Sequence, residues 1–406
     1  MPKIITDKQK VEEVLNRGVE NIYPNREALE KVLLSGKRIK LYCGFDPSAP
    51  SLHLGNAILI NKLAQFQKLG HEVIFLIGDF TGMIGDPTDK LAARKKMSRQ
   101  QVLTNAKNYK KQASAYLKFS GNTAAKILYN SQWSDKLTFK DLIELASNLT
   151  AQQLLQRDMF QERMKQDKPI YLHEFLYPLA QGYDSVAMAV DLEIGGNDQT
   201  FNMLVGRDLM KAVLGKEKFV LTMKLLADPT GKKMGKSEGN IVSLDETPNN
   251  MYGQIMSWPD EVIAVGFELC TNLPLKEVVE IYEKLKDPKI NPRDLKMKLA
   301  LEITKINHGE KKAAEAQEYF VKTVQKKEIP EEIINYQLSI INWKLLDLLV
   351  EIKMASSKSE AKRLIEQGGI KVDGKEVKDV NGIINITEAG VLLQRGKRQF
   401  VKVILK

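Results

Sequence analysis

Apolar and polar positions follow two different periods along this chain. Residues 39–45 (IKLYCGF) are a short apolar run, followed by a loop with Pro47 and Pro50 and an amphipathic stretch from Leu54 to Leu69 that ends at Gly70. The first has the length of a strand, and the second has the i, i+3, i+4 spacing of a helix with glycine where a helix stops. Residues 72–78 (EVIFLIG) are apolar almost throughout, as expected of a strand covered on both faces. Strand, loop, helix and strand in that order predict a βαβ unit with a right-handed crossover and a ligand crevice at the carboxyl ends of its strands. Apolar runs at 126–129, 188–194 and 219–226 predict further strands with helices between them.

From about Thr247 to Gln325 the period is helical, as in DLKMKLALEITKI and AAEAQEYFVKTV. A charged stretch around KKEIPEE follows, and from Trp343 onward the pattern is one of short helices and strands. Ser357 and Glu360 fit a capping box, and Ala361, Leu364 and Ile365 form an apolar stripe. Gly368-Gly369 stops that helix, and Val372-Asp373-Gly374-Lys375 signals a tight hairpin. The fold class read from these patterns is α/β: a Rossmann-like parallel-sheet domain over 1–246, an α-helical domain over 247–325, a linker over 326–342 and a small α+β module over 343–406.

A length of 406 residues leaves room for more than one core. Apolar residues at 43% and charged residues at 28% are ordinary for a globular protein and exclude wholesale disorder. No apolar run approaches the ~18 residues of a membrane span, and Met1 to Lys10 lacks the apolar core of a secretory signal, so a cytoplasmic protein is expected. Two cysteines, Cys43 and Cys270, and four scattered histidines suit neither a disulfide framework nor a structural metal. The net charge of +10 favours a polyanionic partner. Its distribution narrows this, because residues 345–406 carry 12 Lys or Arg against 8 Asp or Glu and read as a separate basic module.

Four segments follow predicted strands and carry residues with chemistry. FDPSAPSLHLGN (45–56) spans the first strand-to-helix junction, where backbone N–H groups and the helix dipole favour a phosphate. His53 can point at such an anion and Gly55 lets a flat base or ribose approach the backbone, although an ordinary turn with a capping histidine has the same sequence. DPTGKKMGKSEGN (228–240) interleaves glycines with Lys232, Lys233 and Lys236, cations that face either water or an anion such as a triphosphate. In YPLAQGYD (177–184), Tyr177, Gln181 and Asp184 share one helix face that is polar where a core face is apolar, with IGGNDQ (194–199) behind it. That describes either a pocket or a satisfied buried network. TGMIGDPTDK (81–90), with Asp86, belongs to the same crevice. There is no Ser-His-Asp or Cys-His set, and GKKMGKS is one residue short of a P-loop.

Taken together, these residues resemble the class I aminoacyl-tRNA synthetases, and among them the bacterial-type tyrosyl-tRNA synthetases, nearly end to end. HLGN (53–56) is similar to the family's HIGH motif and KMGKS (233–237) to its KMSKS motif, in the same order. The resemblance implies that ATP activates tyrosine to tyrosyl-adenylate, which is then passed to the 3′ end of tRNA(Tyr), with Mg2+ on the phosphates and no editing domain. It implies that Tyr42 and Asp184 hold the phenolic hydroxyl, one donating and one accepting. Asp86, Tyr177 and Gln181 would hold the α-ammonium, with Gln199 near the carboxylate. Cys43, Gly55 and Asp198 would contact the adenosine, and Gly44, Asp46 and Asn56 would complete the ATP site. His53 and Ser48 would bind phosphates, and Lys90, Arg94, Lys233 and Lys236 would surround the pyrophosphate, the last two on a mobile loop over 228–240; His53, Ser48, Lys233 and Lys236 are the catalytic candidates.

Ser48 stands where relatives commonly have Thr, Asn56 where HIGH has its second His, and Gly235 where KMSKS has Ser. Asn56 can donate a hydrogen bond but cannot carry charge. The tail, SKSEAKRLIEQGGIKVDGKEV (357–377), resembles an S-four-type RNA-binding domain, with Lys358, Lys362, Arg363 and Lys371 as phosphate contacts. The partners implied are tRNA(Tyr), L-tyrosine, ATP and a second copy of the chain. A tryptophanyl-tRNA synthetase shares the catalytic plan but needs no Tyr42 opposite Asp184. A non-enzymatic RNA-binding protein is supported only by Asn56 and Gly235, and a small-molecule nucleotidyltransferase leaves the helical region and the tail unexplained.

Overall fold

Six strands form the sheet that carries the predicted crevice: β1 (Val19–Tyr23), β2 (Lys40–Phe45), β3 (Glu72–Ile77), β4 (Lys126–Tyr129), β5 (Leu192–Gly196) and β6 (Phe219–Met223). Their order is β1-β6-β5-β2-β3-β4. The structure is a computed structural model that describes residues 3–88, 96–227, 241–325, 334–396 and 399–406. Strands β2 to β6 are parallel to their neighbours, as the βαβ pattern predicts, while β1 runs antiparallel to β6 at the edge. The chain lays β3 and β4 on one side of β2 and then returns to lay β5 and β6 on the other, so its direction of winding reverses between β2 and β5. Ligands of open α/β sheets bind at such a reversal. Here β2 and β5 share only the pairs Leu41↔Leu192 and Tyr42↔Glu193, so beyond them the two carboxyl ends run without a common ladder.

The sheet is buried on both faces. All of β3 but its first residue is enclosed, and Phe75 stacks on Phe45 with ring centroids 4.4 Å apart. The helix Leu54–Lys68, expected to be amphipathic, is instead enclosed on most sides and buries ten of its fifteen residues, Asn61, Lys62 and Gln67 among them. Burial of these polar side chains is offset by hydrogen bonds, Asn61 Nδ2 donating to Asn272 Oδ1 at 3.2 Å and the other two to backbone carbonyls. Gln67 Nε2 donates to the carbonyls of Lys118 and Thr123, both at 2.7 Å, and Lys62 Nζ to those of Val14 at 2.6 Å and Arg17 at 2.8 Å. The strand expected at 188–194 begins only at Leu192, because Met188 ends a helix that Ala189 closes in the left-handed region at φ 47°.

Lys62 gives the stability a pH slope. Burial first, and the nearby Arg17 charge second, push its ammonium down to about 7. The unfolded chain keeps that proton to about 10.4. Between these values the unfolded state binds more protons, so stability rises with pH across the window, by at most ~1.4 kcal/mol per unit. Denaturant titrations of the protein and its Lys62→Met variant at pH 7 and pH 9 should therefore differ by ~1–2 kcal/mol more in the protein's favour at pH 9; a difference independent of pH would contradict this.

The chain divides into two compact units, Met1–Glu246 with Trp258–Asn307 and Thr247–Ser257 with His308–Lys406. The helical segment read over 247–325 is thus shared between them. Helix Pro292–His308 belongs mostly to the first unit, where Lys296 Nζ donates to the Trp258 carbonyl at 2.7 Å and Tyr116 Oη to Asn307 Oδ1 at 3.1 Å. Helical periodicity shows that one face is covered without showing what covers it.

In the second unit, helix Pro248–Ile255 packs on helix Glu310–Phe320, with the Tyr252 and Phe320 rings 5.5 Å apart. Its strands are β7 (Ile334–Leu338), β8 (Asn342–Lys344), β9 (Ile370–Val372), β10 (Lys375–Glu376), β11 (Ile383–Asn385), β12 (Val391–Arg395) and β13 (Gln399–Leu405). They form a sheet in the order β10-β9-β12-β13-β7 and a separate β11-β8 pair, around a core that includes Leu348, Leu349, Ile365 and Leu393. The predicted hairpin joins β9 to β10 through Asp373 and Gly374, both at positive φ, the conformation that a two-residue hairpin turn requires. The predicted capping box is half realised: Ser357 accepts from the Glu360 N–H, but the Glu360 carboxylate takes the Ser356 N–H and hydroxyl instead.

Candidate active site

At the reversal between β2 and β5 a cavity of about 340 Å³ opens at the carboxyl ends of the strands. Strand β2 and the loop after it supply Tyr42, Cys43, Gly44, Asp46 and Ser48, and the start of helix Leu54–Lys68 supplies His53, Gly55 and Asn56. Asp86 comes from the loop after β3, Tyr177, Gln181 and Asp184 from helix Leu172–Met188, and Asp198 and Gln199 from the turn after β5. Every described candidate residue of the first unit lines this one cavity. Lys90, Arg94, Lys233 and Lys236 lie outside the described residues.

The deep end holds Tyr42 and Asp184, 1% and 3% exposed. Asp184 accepts from Trp133 Nε1 at 2.8 Å and from Asn130 Nδ2 at 3.2 Å. Burial holds its carboxyl well above the usual range despite those two donors, with the Glu193 and Asp46 charges adding to the rise. Tyr42 Oη lies 2.9 Å from Ser185 Oγ, and burial, Glu193 and Asp184 all push its ionisation up, so it stays a neutral phenol. Glu193, the one charged residue of β5, accepts from Gln181 Nε2 at 3.0 Å and pairs with the fully buried Lys218. The sequence reading did not single out Asn130, Trp133, Ser185, Glu193 or Lys218. Two signals point to some of them: Ser185 falls four residues after Gln181 on the polar face, and Glu193 interrupts an apolar strand.

The middle of the cavity is a set of acceptors. Tyr177 Oη donates to Asp46 Oδ2 at 2.8 Å and Gln181 Nε2 to Glu193, which leaves the Tyr177 and Gln181 oxygens to accept from a ligand. Asp86 accepts from the Thr88 N–H at 2.9 Å and from Gln199 Nε2 at 2.7 Å, which leaves carboxylate lone pairs over. Gln199 is held from its other end by Asn202 Nδ2 at 3.1 Å.

At the outer end the chain enters helix Leu54–Lys68 through His53, whose backbone N–H donates to Asn56 Oδ1 at 3.1 Å. Asn56 therefore caps this helix through its oxygen, the reciprocal half of a capping box. The described residues before and after segment 228–240 lie beside the cavity. Lys224, Leu225 and Leu226 line it on one side, and on the other Val242 accepts from the Leu54 N–H at 2.9 Å while Leu244 N donates to the Leu52 carbonyl at 2.8 Å. Lys224 is the only lysine or arginine among the described lining residues, and its Nζ is held by Glu268 at 2.9 Å. Asp46, Asp86, Asp184, Glu193 and Asp198 make the rest of the wall acidic.

Cys43 is buried and its thiol pushed up, so it contributes shape rather than a nucleophile. No group of three or more His, Cys, Asp or Glu side chains among the described residues is placed to hold a metal. In the second unit, Lys358, Lys362 and Arg363 stand exposed on helix Lys358–Glu366, with Lys371 half-buried on β9; Lys358 pairs with Asp347 and Lys362 with Glu366. No helix among the described residues is long and apolar enough to cross a membrane.

Comparison with known proteins adds three kinds of likeness. The family tRNA synthetases class I (W and Y) matches residues 34–325, and the S4 domain residues 343–386. Over 392 residues the chain is 45% identical to the tyrosine–tRNA ligase of Thermotoga maritima, which covers 96% of each. Over 398 residues it is 44% identical to tyrosine–tRNA ligase 2 of Clostridium acetobutylicum, covering 97% of this chain and 98% of that one. Among solved structures it is similar to a C-terminally truncated mitochondrial tyrosyl-tRNA synthetase of Coccidioides posadasii, with a TM-score of 0.62, 25% identity, and coverage of 76% of this chain and 91% of that one.

Proposed function

The chain belongs to the class I tRNA synthetases (W and Y), and from that premise we propose that it is a tyrosine–tRNA ligase, which activates tyrosine with ATP and charges tRNA(Tyr). The observation that carries this reading is the Tyr42 hydroxyl and Asp184 carboxylate together at the deep end of the cavity, a donor and an acceptor for one phenolic hydroxyl. A tryptophan site has no use for that pair.

The rest of the wall suits an amino acid joined to a nucleotide. Asp86, Tyr177 and Gln181 offer three acceptors to the three N–H groups of an α-ammonium, and Gln199 lies beside Asp86 for the carboxylate. The tyrosine carboxylate attacks the α-phosphorus of ATP, the bond to the bridging oxygen breaks, and pyrophosphate leaves. A ribose hydroxyl at the 3′ end of the tRNA then takes the tyrosyl group, and AMP leaves. Side chains act here by positioning and by balancing charge. Cys43, Gly44, Gly55, Asn56 and Asp198 border the adenosine, with Asp46 beside them. His53 and Ser48 take phosphate oxygens at the helix start, and Lys90, Arg94, Lys233 and Lys236 take the pyrophosphate, whose Mg2+ arrives with the ATP.

Lys358, Lys362, Arg363 and Lys371 contact tRNA phosphates, and the enzyme works in the cytoplasm. The reading includes a homodimer, whose second copy would cover exposed apolar side chains such as Phe139, Ile143 and Leu172, 78%, 55% and 80% exposed. Tyrosine-dependent ATP–pyrophosphate exchange, with tryptophan as the control, tests the substrate assignment; exchange with tryptophan alone would reverse it. Deleting residues 343–406 should leave exchange intact and lower charging of tRNA(Tyr) at least tenfold, since each lost phosphate contact weakens RNA binding. A truncated enzyme that charges normally would remove the tail from the reading.

A further inference from the structure

Asp86 is held by two short relays whose outer members, Arg157 and Asn202, are not among the described lining residues of the cavity. Arg157 Nη2 donates to Thr88 Oγ1 at 2.9 Å, and Thr88 donates its hydroxyl at 2.7 Å and its N–H at 2.9 Å to Asp86 Oδ1. On the other carboxylate oxygen, Asn202 Nδ2 donates to Gln199 Oε1 at 3.1 Å, and Gln199 Nε2 donates to Asp86 Oδ2 at 2.7 Å. The relays are joined one layer further out. Helix Thr200–Leu214 carries Asn202 and, next to it, Phe201, whose ring centroid lies 4.6 Å from the Arg157 guanidinium carbon. Arg157 is only 9% exposed. Enclosing a cation is costly, so its place beside the site calls for a reason.

Hydrogen-bond direction supplies one. A guanidinium can only donate, and a hydroxyl has one proton to give. With Arg157 on the Thr88 oxygen, the Thr88 proton is committed to Asp86, just as Asn202 on the Gln199 oxygen commits the Gln199 amide group to Asp86. Three of the roughly four acceptor sites of a carboxylate are then filled from the protein, and Asp86 cannot turn without breaking one of these bonds. We infer that Arg157, acting through Thr88, is a positioning residue for the amino-acid site: it sets the Asp86 carboxylate so that its remaining acceptor capacity meets the ammonium of the substrate. This rests on the reading of Asp86 as an ammonium acceptor for tyrosine.

Pyrophosphate exchange with tyrosine tests it, using two inhibitors: tyrosinol, which keeps the ammonium and lacks the carboxylate, and 3-(4-hydroxyphenyl)propanoate, which keeps the carboxylate and lacks the ammonium. Arg157→Met and Thr88→Val should each raise the tyrosine KM and the tyrosinol Ki about tenfold, with kcat and the propanoate Ki changed less than about threefold. Thr88→Ser keeps the hydroxyl and should stay within about threefold of the unmodified protein throughout. The double variant should be no worse than either single one, because both changes break the same relay. Unchanged constants, or a rise for both inhibitors together, would overturn the inference, and so would losses that multiply in the double variant, since Arg157 would then act by a route other than Thr88. If the unmodified protein binds the propanoate as tightly as tyrosinol, or does not exchange with tyrosine, the reading of Asp86 or of the substrate fails first and takes the inference with it, so the failures are distinguishable.

Discussion

Replacing Asp184 by alanine is expected to lower kcat/KM for tyrosine in ATP–pyrophosphate exchange by roughly 10²–10³, with little change for phenylalanine. The asymmetry follows from what each substrate loses. Tyrosine loses a buried acceptor for its hydroxyl, whereas phenylalanine never used it. A site built to bond a hydroxyl rejects the analogue without one because its own polar groups are left unpaired, and tyrosyl enzymes are the standard illustration of that rule. The stability of the variant is set by two opposing effects. Trp133 Nε1 and Asn130 Nδ2 lose their acceptor, at ~1–3 kcal/mol for each buried donor, while the protein no longer has to bury a carboxylate whose pKa burial has raised. The same raised pKa gives tyrosine binding an acid limb: as pH falls through it, Asp184 gains a proton and offers a donor where the substrate needs an acceptor. Tyrosine KM unchanged in Asp184→Ala would refute the pocket.

The double variant Lys233→Ala with Lys236→Ala is expected to slow exchange by about 10²–10⁴ while tyrosine binding, measured without ATP, is largely kept. Charge balance is the reason. The described wall presents five carboxylates and one lysine that Glu268 already holds, which suits an ammonium and repels a triphosphate. Cations for the pyrophosphate must come from elsewhere. Segment 228–240, which follows the lining residues Lys224 to Leu226 along the chain and carries Lys233 and Lys236, can bring them. Unchanged exchange in the double variant would sink the assignment, and a matching loss of tyrosine affinity would place these lysines in the amino-acid site.

Much of the fold was legible in the sequence because the parallel sheet is buried on both faces. Runs such as EVIFLIG at 72–78 have no other sensible place, and the helix start at His53 follows from glycine, proline and spacing. Edge strand β1 left no such run, since Val19–Tyr23 is half solvated and carries Glu20 and Asn21. The division of the helical region was hidden for a different reason: Lys296 and Trp258 are too far apart in sequence for any local period to join them. In the cavity, Tyr177, Gln181 and Asp184 were readable because 3.6-residue spacing sets them on one face. Lys218 was not, because a lysine just before a strand looks solvated until its partners Ser185 and Glu193, 33 and 25 residues away, are brought to it.

The two-pair ladder between β2 and β5 also has a consequence in time. The strands are some 150 residues apart in the chain, and Tyr42 is separated from Ser185 by 143 residues. At ~5–20 residues per second of synthesis, the inner edge of β2 waits on the order of ten seconds or more for its partner. During that interval the half-sheet β2-β3-β4 has an open apolar edge in what becomes the middle of the sheet, and this is the period in which the chain is most exposed to mispairing with another copy of itself.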